Sequence, residues 1–364
     1  MRKLILIICL FTGSSSFAQE HWIWNDPMEA QVGIIHGQAW EGIKYHRLPD
    51  EAEKSVRSPV WHLSRHSAGV KLRFNTNADR IKVRYTVKGN LDMPHMPATG
   101  VSGLDLYTKN KNEDWIWVKG NYSFKDTIQY EFVLNDGYVG SREFDLYLPL
   151  YNEVLELEIG TGEKFEFSFL EKNKSKLPIL VYGTSIAHGA CASRPGMAWT
   201  AILERKINQP LINLGFSGNG QLEKPIIDYM SQTESLLYVL DCIPNLVRDE
   251  FSEEEVTNRI LQAVRQLKGS RPEVPILLVE HAGYMDEWVN FDRKEAYKVR
   301  NEWTKNAFKT LIWEGVEDIY LLEKEEIGLT MDATVDGTHP SDLGMQQYAE
   351  GYYRIILEIL DKGL

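Results

Sequence analysis

The chain has 364 residues, of which 43% are hydrophobic and 25% charged, and its formal charge is -12. That acidity argues against a nucleic-acid partner, because nothing supplies the basic stripe that phosphates require. The length favours two domains, and no stretch beyond the amino terminus is long and apolar enough to span a bilayer.

In chain order, Arg2 and Lys3 precede an apolar run from Leu4 to Phe11, followed by Ser16-Phe17-Ala18. A charged start, a short apolar stretch and a small-x-small triplet predict a signal peptide cut after Ala18, and hence a periplasmic or secreted protein. The run is well short of a membrane anchor. Loss of residues 1–18, which carry two basic and no acidic residues, takes the charge to -14 and removes Cys9. Cys191 and Cys242 then remain, and whether they pair stays open.

Residues 19–171 read as a β domain. Val70–Phe74 and Ile81–Tyr85 alternate apolar and polar residues, as half-buried strands do. Phe144–Leu150 and Val154–Ile159 behave similarly, and Asn75-Thr76-Asn77 and Asn135-Asp136-Gly137 supply turns. Short strands without a helix predict an antiparallel sandwich of jelly-roll type. Six of the ten tryptophans lie here, at positions 22, 24, 40, 61, 115 and 117. Core packing is the expectation for most of them, with a glycan-stacking platform as the alternative.

After the charged stretch Glu171–Lys176, residues 177–364 alternate strand and helix. Ile179–Tyr182, Leu211–Leu214, Leu236–Leu240, Ile276–Val279 and Ile319–Leu322 are short apolar runs suited to buried parallel strands. Helices are expected over Ala198–Ile207, Lys224–Ser231, Glu253–Leu267, Arg293–Ile312 and Asp342–Leu360. This order predicts an α/β fold, a doubly wound, flavodoxin-like parallel sheet whose functional groups gather beyond the carboxyl ends of the strands.

Four segments occupy those positions: Gly183-Thr184-Ser185-Ile186, Asn213 to Gly220, Asp241 to Asn245, and Asp336-Gly337-Thr338-His339-Pro340. Ester hydrolysis through a serine needs a base, an acid that fixes the base's tautomer, and donors for the oxyanion. Ser185 can be the nucleophile, His339 the base and Asp336 its orienting acid. The N–H groups of Ser185 and Gly218 and the amide of Asn245 can form the oxyanion hole. Asp332 is a rival acid with a longer reach, and Gly220 a rival donor two residues on. Arg194 and His281 are candidate substrate contacts; the plainer alternatives are a brace for the serine loop and a satisfied edge histidine. No role is assigned to Thr184 or His188.

These ordered blocks resemble those of the SGNH (GDSL-like) hydrolases, although Thr184 stands where the familiar block carries Asp. Gly183-Thr184-Ser185-Ile186, continuing through Cys191 to Met197, together with Gly103-Leu104-Asp105-Leu106-Tyr107, resembles the branch with an amino-terminal Gly-x-Asp-Leu-Tyr domain. The resemblance implies a carbohydrate acetyl esterase acting on acetylated oligosaccharide or polysaccharide, such as xylan or xyloglucan, with no cofactor or metal. The alternatives are a short-chain lipase or thioesterase, and a glycan-binding protein on an inactive scaffold. A lone Asp-x-x-His could also be a helix start or a metal pair, but no further ligands sit at suitable spacing. The glycine pattern after Asn213 does not match a nucleotide loop, and Ala187 breaks the α/β-hydrolase elbow.

Overall fold

The computed structural model describes residues 21–30 and 33–362, so the expected leader and its cut site lie outside the described residues. The amino-terminal part comprises strands β1 (Trp22–Asn25) and β2 (Ile35–His36), helix α1 (Ser58–Ser64), and strands β3 (Lys71–Thr76) and β4 (Arg80–Val87). Helix α2 (Ala98–Val101) follows, then β5 (Asp105–Lys109), β6 (Trp115–Val118), β7 (Gly120–Ser123), β8 (Ile128–Val133), β9 (Arg142–Tyr147), β10 (Val154–Gly162) and β11 (Phe167–Phe169). All pairings are antiparallel, in two sheets ordered β1-β10-β4-β8-β7 and β11-β3-β9-β5-β6, with β2 on β3.

The sheets face each other because alternate residues are apolar. In β4, Ile81, Val83 and Tyr85 are buried between polar neighbours, and they share one core with Leu72 and Phe74 of β3 and Phe144 and Leu146 of β9. Two helices nonetheless interrupt the expected all-strand region. In α1, Pro59 in the first turn starts a helix where its missing N–H has no cost.

The tryptophans correct the core expectation. None of the six is fully buried, and Trp117 is 47% exposed. Cations lie over five of the rings: Lys82 over Trp22, Arg84 over Trp24, Arg65 over Trp61, Lys109 over Trp115 and Arg194 over Trp117, at 4.0–5.3 Å. Trp40, Trp61 and Trp115 still pack half-buried against apolar clusters, whereas Trp22, Trp24 and Trp117 are covered by the stems and charges of long side chains.

The second part contains β12 (Ile179–Gly183), α3 (Ser185–His188), α4 (Trp199–Ile207), β13 (Leu211–Gly215), α5 (Lys224–Ser231) and β14 (Leu237–Asp241). It continues with α6 (Glu253–Ser270), β15 (Ile276–Val279), α7 (Phe291–Trp313), β16 (Ile319–Leu322), α8 (Lys324–Ile327) and α9 (Asp342–Lys362). The five strands are parallel in the order β13-β12-β14-β15-β16, which is the flavodoxin-like order. Successive residues of each strand face opposite layers. Leu180, Tyr182, Leu214 and Leu240 pack with α5, α6 and α7; Val181, Val239, Leu277 and Val279 pack with α3, α4 and α9.

The two parts share these cores. Leu48, Ala52, Val56 and Val60 join the first layer, while Met96, Val101, Leu150 and Tyr151 join the second. Among the described residues, no helix is long and apolar enough to cross a membrane.

Candidate active site

β12 and β14 are adjacent in the sheet, and their ends open the crevice at the switch point of the strand order. Ser185 starts α3 immediately beyond β12, with the Thr184 hydroxyl as cap accepting from Ile186 N–H at 3.3 Å. Close approach requires glycine behind it. A Cβ on Gly220 would lie 2.0 Å from the Gly183 carbonyl oxygen, so only glycine lets the loop after β13 lie against the serine turn.

The Ser185 Oγ is 2.8 Å from His339 Nε2, and His339 Nδ1 is 2.7 Å from Asp336 Oδ2. The turn that brings acid and base together is built locally. Val335 N–H donates to the His339 carbonyl at 2.9 Å, and Gly337 between them takes φ +81°. Asp336 Oδ1 accepts from the N–H groups of Thr338 at 3.0 Å and His339 at 2.8 Å. Burial works to raise the Asp336 pKa; the backbone and ring bonds from His339 outweigh it and hold the carboxyl below its ordinary value. Asp336, not the exposed Asp332, meets the ring, because the tight turn leaves Asp332 outside its reach.

Ser185 is 8% exposed, while the side chains of His339 and Asp336 are 23% and 40% exposed. A carboxylate acceptor on Nδ1 fixes the proton there and leaves Nε2 as a base facing the hydroxyl. Neither the Ser185 nor the Gly218 backbone N–H has a hydrogen-bond partner among the described residues. The Asn245 amide, oriented by its surroundings, accepts from Asn219 and Gly220 N–H at 2.9 and 3.0 Å, which leaves its NH2 to donate. Gly220 N–H is thus engaged, also to the Phe216 carbonyl at 2.9 Å, whereas Gly218 N–H is not.

The remaining sequence-predicted residues are held in internal networks. Arg194 donates to Asp105 Oδ2 at 2.5 Å and to the Tyr107 hydroxyl at 2.6 Å, and its guanidinium lies 4.5 Å from the Trp117 ring centroid. Asp105, buried, also accepts from Gly196 N–H at 2.9 Å and Trp117 Nε1 at 2.5 Å. The Gly-x-Asp-Leu-Tyr segment therefore clasps the segment after the serine helix, which is the bracing alternative for Arg194. His281 corrects the substrate-contact expectation. It is 2% exposed, packed against Tyr284 and Tyr297, with Nδ1 accepting from Gly283 N–H at 2.8 Å. Burial, aided by Arg293 and Lys324, takes its pKa down to about 3, as suits a neutral interior ring. Cys191 and Cys242 are separate buried thiols, and burial pushes the Cys191 thiol up to about 12.

Several groups around the site escaped sequence reasoning. Arg293 of α7 bonds Thr338 at 2.6 Å and Asp286 at 2.9 Å, and Met285 N–H donates to the Gly337 carbonyl at 3.0 Å, bracing the histidine turn. Asp342 at the start of α9 accepts from the Ser193 N–H and hydroxyl at 2.9 and 2.5 Å, tying the serine block to the helix after His339. His95, from the β part, places its ring 6.1 Å from that of His339. Only Asp342 carried a signal, as an acidic residue at a helix start.

Comparison with known proteins accords with this geometry. Residues 176–357 match the model of the GDSL-like lipase/acylhydrolase family, and residues 22–167 match that of the N-terminus of SGNH-hydrolase-type esterases. A solved structure described as a GDSL-like lipase, from Bacteroides ovatus, is 32% identical, with TM-score 0.85, over 94% of this chain and 98% of that one. The salicylyl-acyltransferase SsfX3 from a tetracycline biosynthetic pathway shares the fold at 20% identity and TM-score 0.73, over 93% and 97% of the two chains. An acetyl xylan esterase from the rumen bacterium Butyrivibrio proteoclasticus shares it at 9% identity and TM-score 0.57, over 93% and 99%. No curated protein sequence matches. With its sheet order, its serine turn and half of its length matched, the chain belongs to the GDSL-like lipase/acylhydrolase family, here joined to the amino-terminal domain of SGNH-type esterases.

Proposed function

We propose that the protein is an extracytoplasmic serine esterase that removes acetyl or other short acyl groups from carbohydrate, with plant cell-wall glycans such as xylan or xyloglucan as substrates. The observation that carries this reading is the relay from Ser185 Oγ through His339 to Asp336, at 2.8 and 2.7 Å. In the proposed reaction, His339 Nε2 takes the Ser185 proton as Oγ attacks the acyl carbonyl. The Ser185 and Gly218 N–H groups and the Asn245 NH2 receive the oxyanion, and His339 then passes the proton to the departing sugar hydroxyl. Water, activated by the same histidine, releases the acid. Asp336 stays ionised throughout and stabilises the imidazolium, a role its depressed pKa suits.

The sugar-ester assignment draws on the resemblance of the sequence blocks and on a shared fold with carbohydrate esterases. Export rests on the leader pattern, with a mature chain from Gln19, a β domain to residue 171 and a catalytic domain over 177–364. The test is acetate release from acetylated xylan and xyloglucan oligosaccharides by wild type beside Ser185→Ala. Release by wild type alone is expected. Cleavage of p-nitrophenyl acetate without release from any glycan would move the substrate to another acyl class. Folded wild-type protein that is silent on every ester would overturn the enzymatic reading.

A further inference from the structure

Arg47 lies in the amino-terminal part yet ends beneath the loop that follows β13, and it is 1% exposed. Its guanidinium donates to four carbonyl oxygens: His66 at 2.9 Å, Leu63 at 2.5 Å, Gly215 at 2.5 Å and Asn213 at 3.3 Å. It lies 5.1 Å from the centroid of the Phe216 ring. No carboxylate pairs with it among the described residues, which is unusual because a buried charge is normally neutralised by an opposite one. Burial pulls its pKa down to about 9, which still leaves it charged at neutral pH.

The groups packed around it do not cancel that charge. His66 is half-buried and His188 fully buried, and desolvation first and Arg47 second depress both, His66 to about 3, so both are neutral. Tyr151 is also buried, which raises its pKa and keeps it protonated; its hydroxyl reaches the Ser185 carbonyl oxygen at 3.4 Å. The interior under the serine turn thus carries one fixed positive charge.

That charge also sets backbone geometry. Arg47 holds the Gly215 carbonyl, and the N–H of the same peptide, from Phe216, donates to the Gly183 carbonyl at 2.9 Å where the β12–β13 ladder ends, one residue before Thr184 and two before Ser185. The loop that leaves this anchor carries the unengaged Gly218 N–H and the groups that orient Asn245. A cation fixed beside such a loop, in a dry interior, favours negative charge developing above it more than it favours a neutral substrate.

We propose that Arg47 is a positioning residue for the ester hydrolysis set out above, fixing the Gly215–Gly220 loop and supplying the buried positive charge that opposes the oxyanion. The inference rests on that reading. Losing a direct oxyanion donor costs about 10²–10³ in kcat, so loss of this indirect support should cost roughly 10- to 100-fold.

The experiment compares wild type, Arg47→Gln and Arg47→Lys in p-nitrophenyl acetate hydrolysis, in the rate of Ser185 phosphonylation by a p-nitrophenyl alkylphosphonate, and in thermal unfolding. Folded Arg47→Gln should lose kcat and phosphonylation rate by the same factor with KM nearly unchanged, and Arg47→Lys should recover part of both. A purely structural clasp would lower the unfolding temperature without that split. A folded Arg47→Gln with wild-type kcat, or an Arg47→Lys no better than the glutamine, would overturn the inference. Should the glutamine variant not fold, Arg47→Lys decides: a several-fold lower kcat at constant KM supports the inference, and a wild-type kcat overturns it. Wild type that neither turns over nor is phosphonylated refutes the esterase reading and this inference with it; wild type reacting at the same rate as Arg47→Gln refutes the inference alone.

Discussion

Replacing Asp336 with Asn separates the electrostatic work of this residue from its structural work. The aspartate holds the turn through Oδ1, which accepts from Thr338 and His339 N–H, and holds the ring through Oδ2, 2.7 Å from Nδ1. An asparagine can keep its oxygen at the first position, so the turn survives. Its NH2 then faces Nδ1, which must become an acceptor, and the ring proton moves to Nε2, pointing at the Ser185 hydroxyl that needs a base. The full consequence of a wrong tautomer in a serine triad is about 10⁴ in kcat. Because the Asp336 side chain is 40% exposed, water already shares in stabilising the imidazolium, and the expected loss is nearer 10³, about 4 kcal/mol of barrier. The assay is kcat for p-nitrophenyl acetate at pH 7.5, beside the unfolding temperature and the ¹⁵N shifts of the His339 ring. Asp336→Asn with kcat within ten-fold of wild type, or with the proton still on Nδ1, would refute the reasoning.

The clasp between the two parts makes a second prediction. Removing Arg194 strands the buried Asp105, and breaking a fully buried pair costs about 3–5 kcal/mol; with the arginine side chain 24% exposed, Arg194→Ala should cost about 2–3 kcal/mol at pH 7 by urea unfolding. Burial raises the Asp105 pKa despite Arg194, and the variant raises it further; a carboxyl with a raised folded pKa contributes most below its unfolded value and loses that contribution as pH rises through the folded value. The deficit should therefore shrink at pH 5, and adding Asp105→Asn should recover part of it; a pH-independent deficit with additive mutations would sink the account. Gly220→Ala must push the loop off the Gly183 carbonyl, so it should lower stability by about 1–3 kcal/mol and kcat by at least roughly ten-fold, and wild-type kcat and unfolding temperature would contradict it.

What could be read from the chain alone was whatever depends on local periodicity and order. Ile276–Val279 and Ile319–Leu322 are strands to the residue, because short continuous apolar runs in alternation with helices suit a parallel sheet covered on both faces. Helix α5 spans Lys224–Ser231 as its apolar spacing indicates. The Ser185, His339 and Asp336 grouping was legible because each sits one turn beyond a strand or before a helix, where topology alone makes ends converge. Helix α1 was not, since a seven-residue segment led by Ser58-Pro59 carries little periodicity and gains its order by packing Val60 into the core beside the parallel sheet.

The tertiary structure decided whatever depends on partners distant in sequence. His281 looked like a crevice residue because it follows β15, but the packing of Tyr284 and Tyr297 encloses it. Arg194 was ambiguous until Asp105, 89 residues earlier, supplied its counter-charge. Most of the tryptophans were assigned to a core on residue type, yet which face of a strand a ring occupies follows from sheet register, and the cations over Trp22 and Trp24 come from β4, one strand beyond β10. Arg47 gave no signal at all, since a charged residue in a loop reads as solvated until the fold brings the Gly215 carbonyl, 168 positions later, over it. A sequence orders its own hydrogen-bond donors and apolar steps; only the folded chain decides which buried charge is answered by a carboxylate and which is left to act on its surroundings.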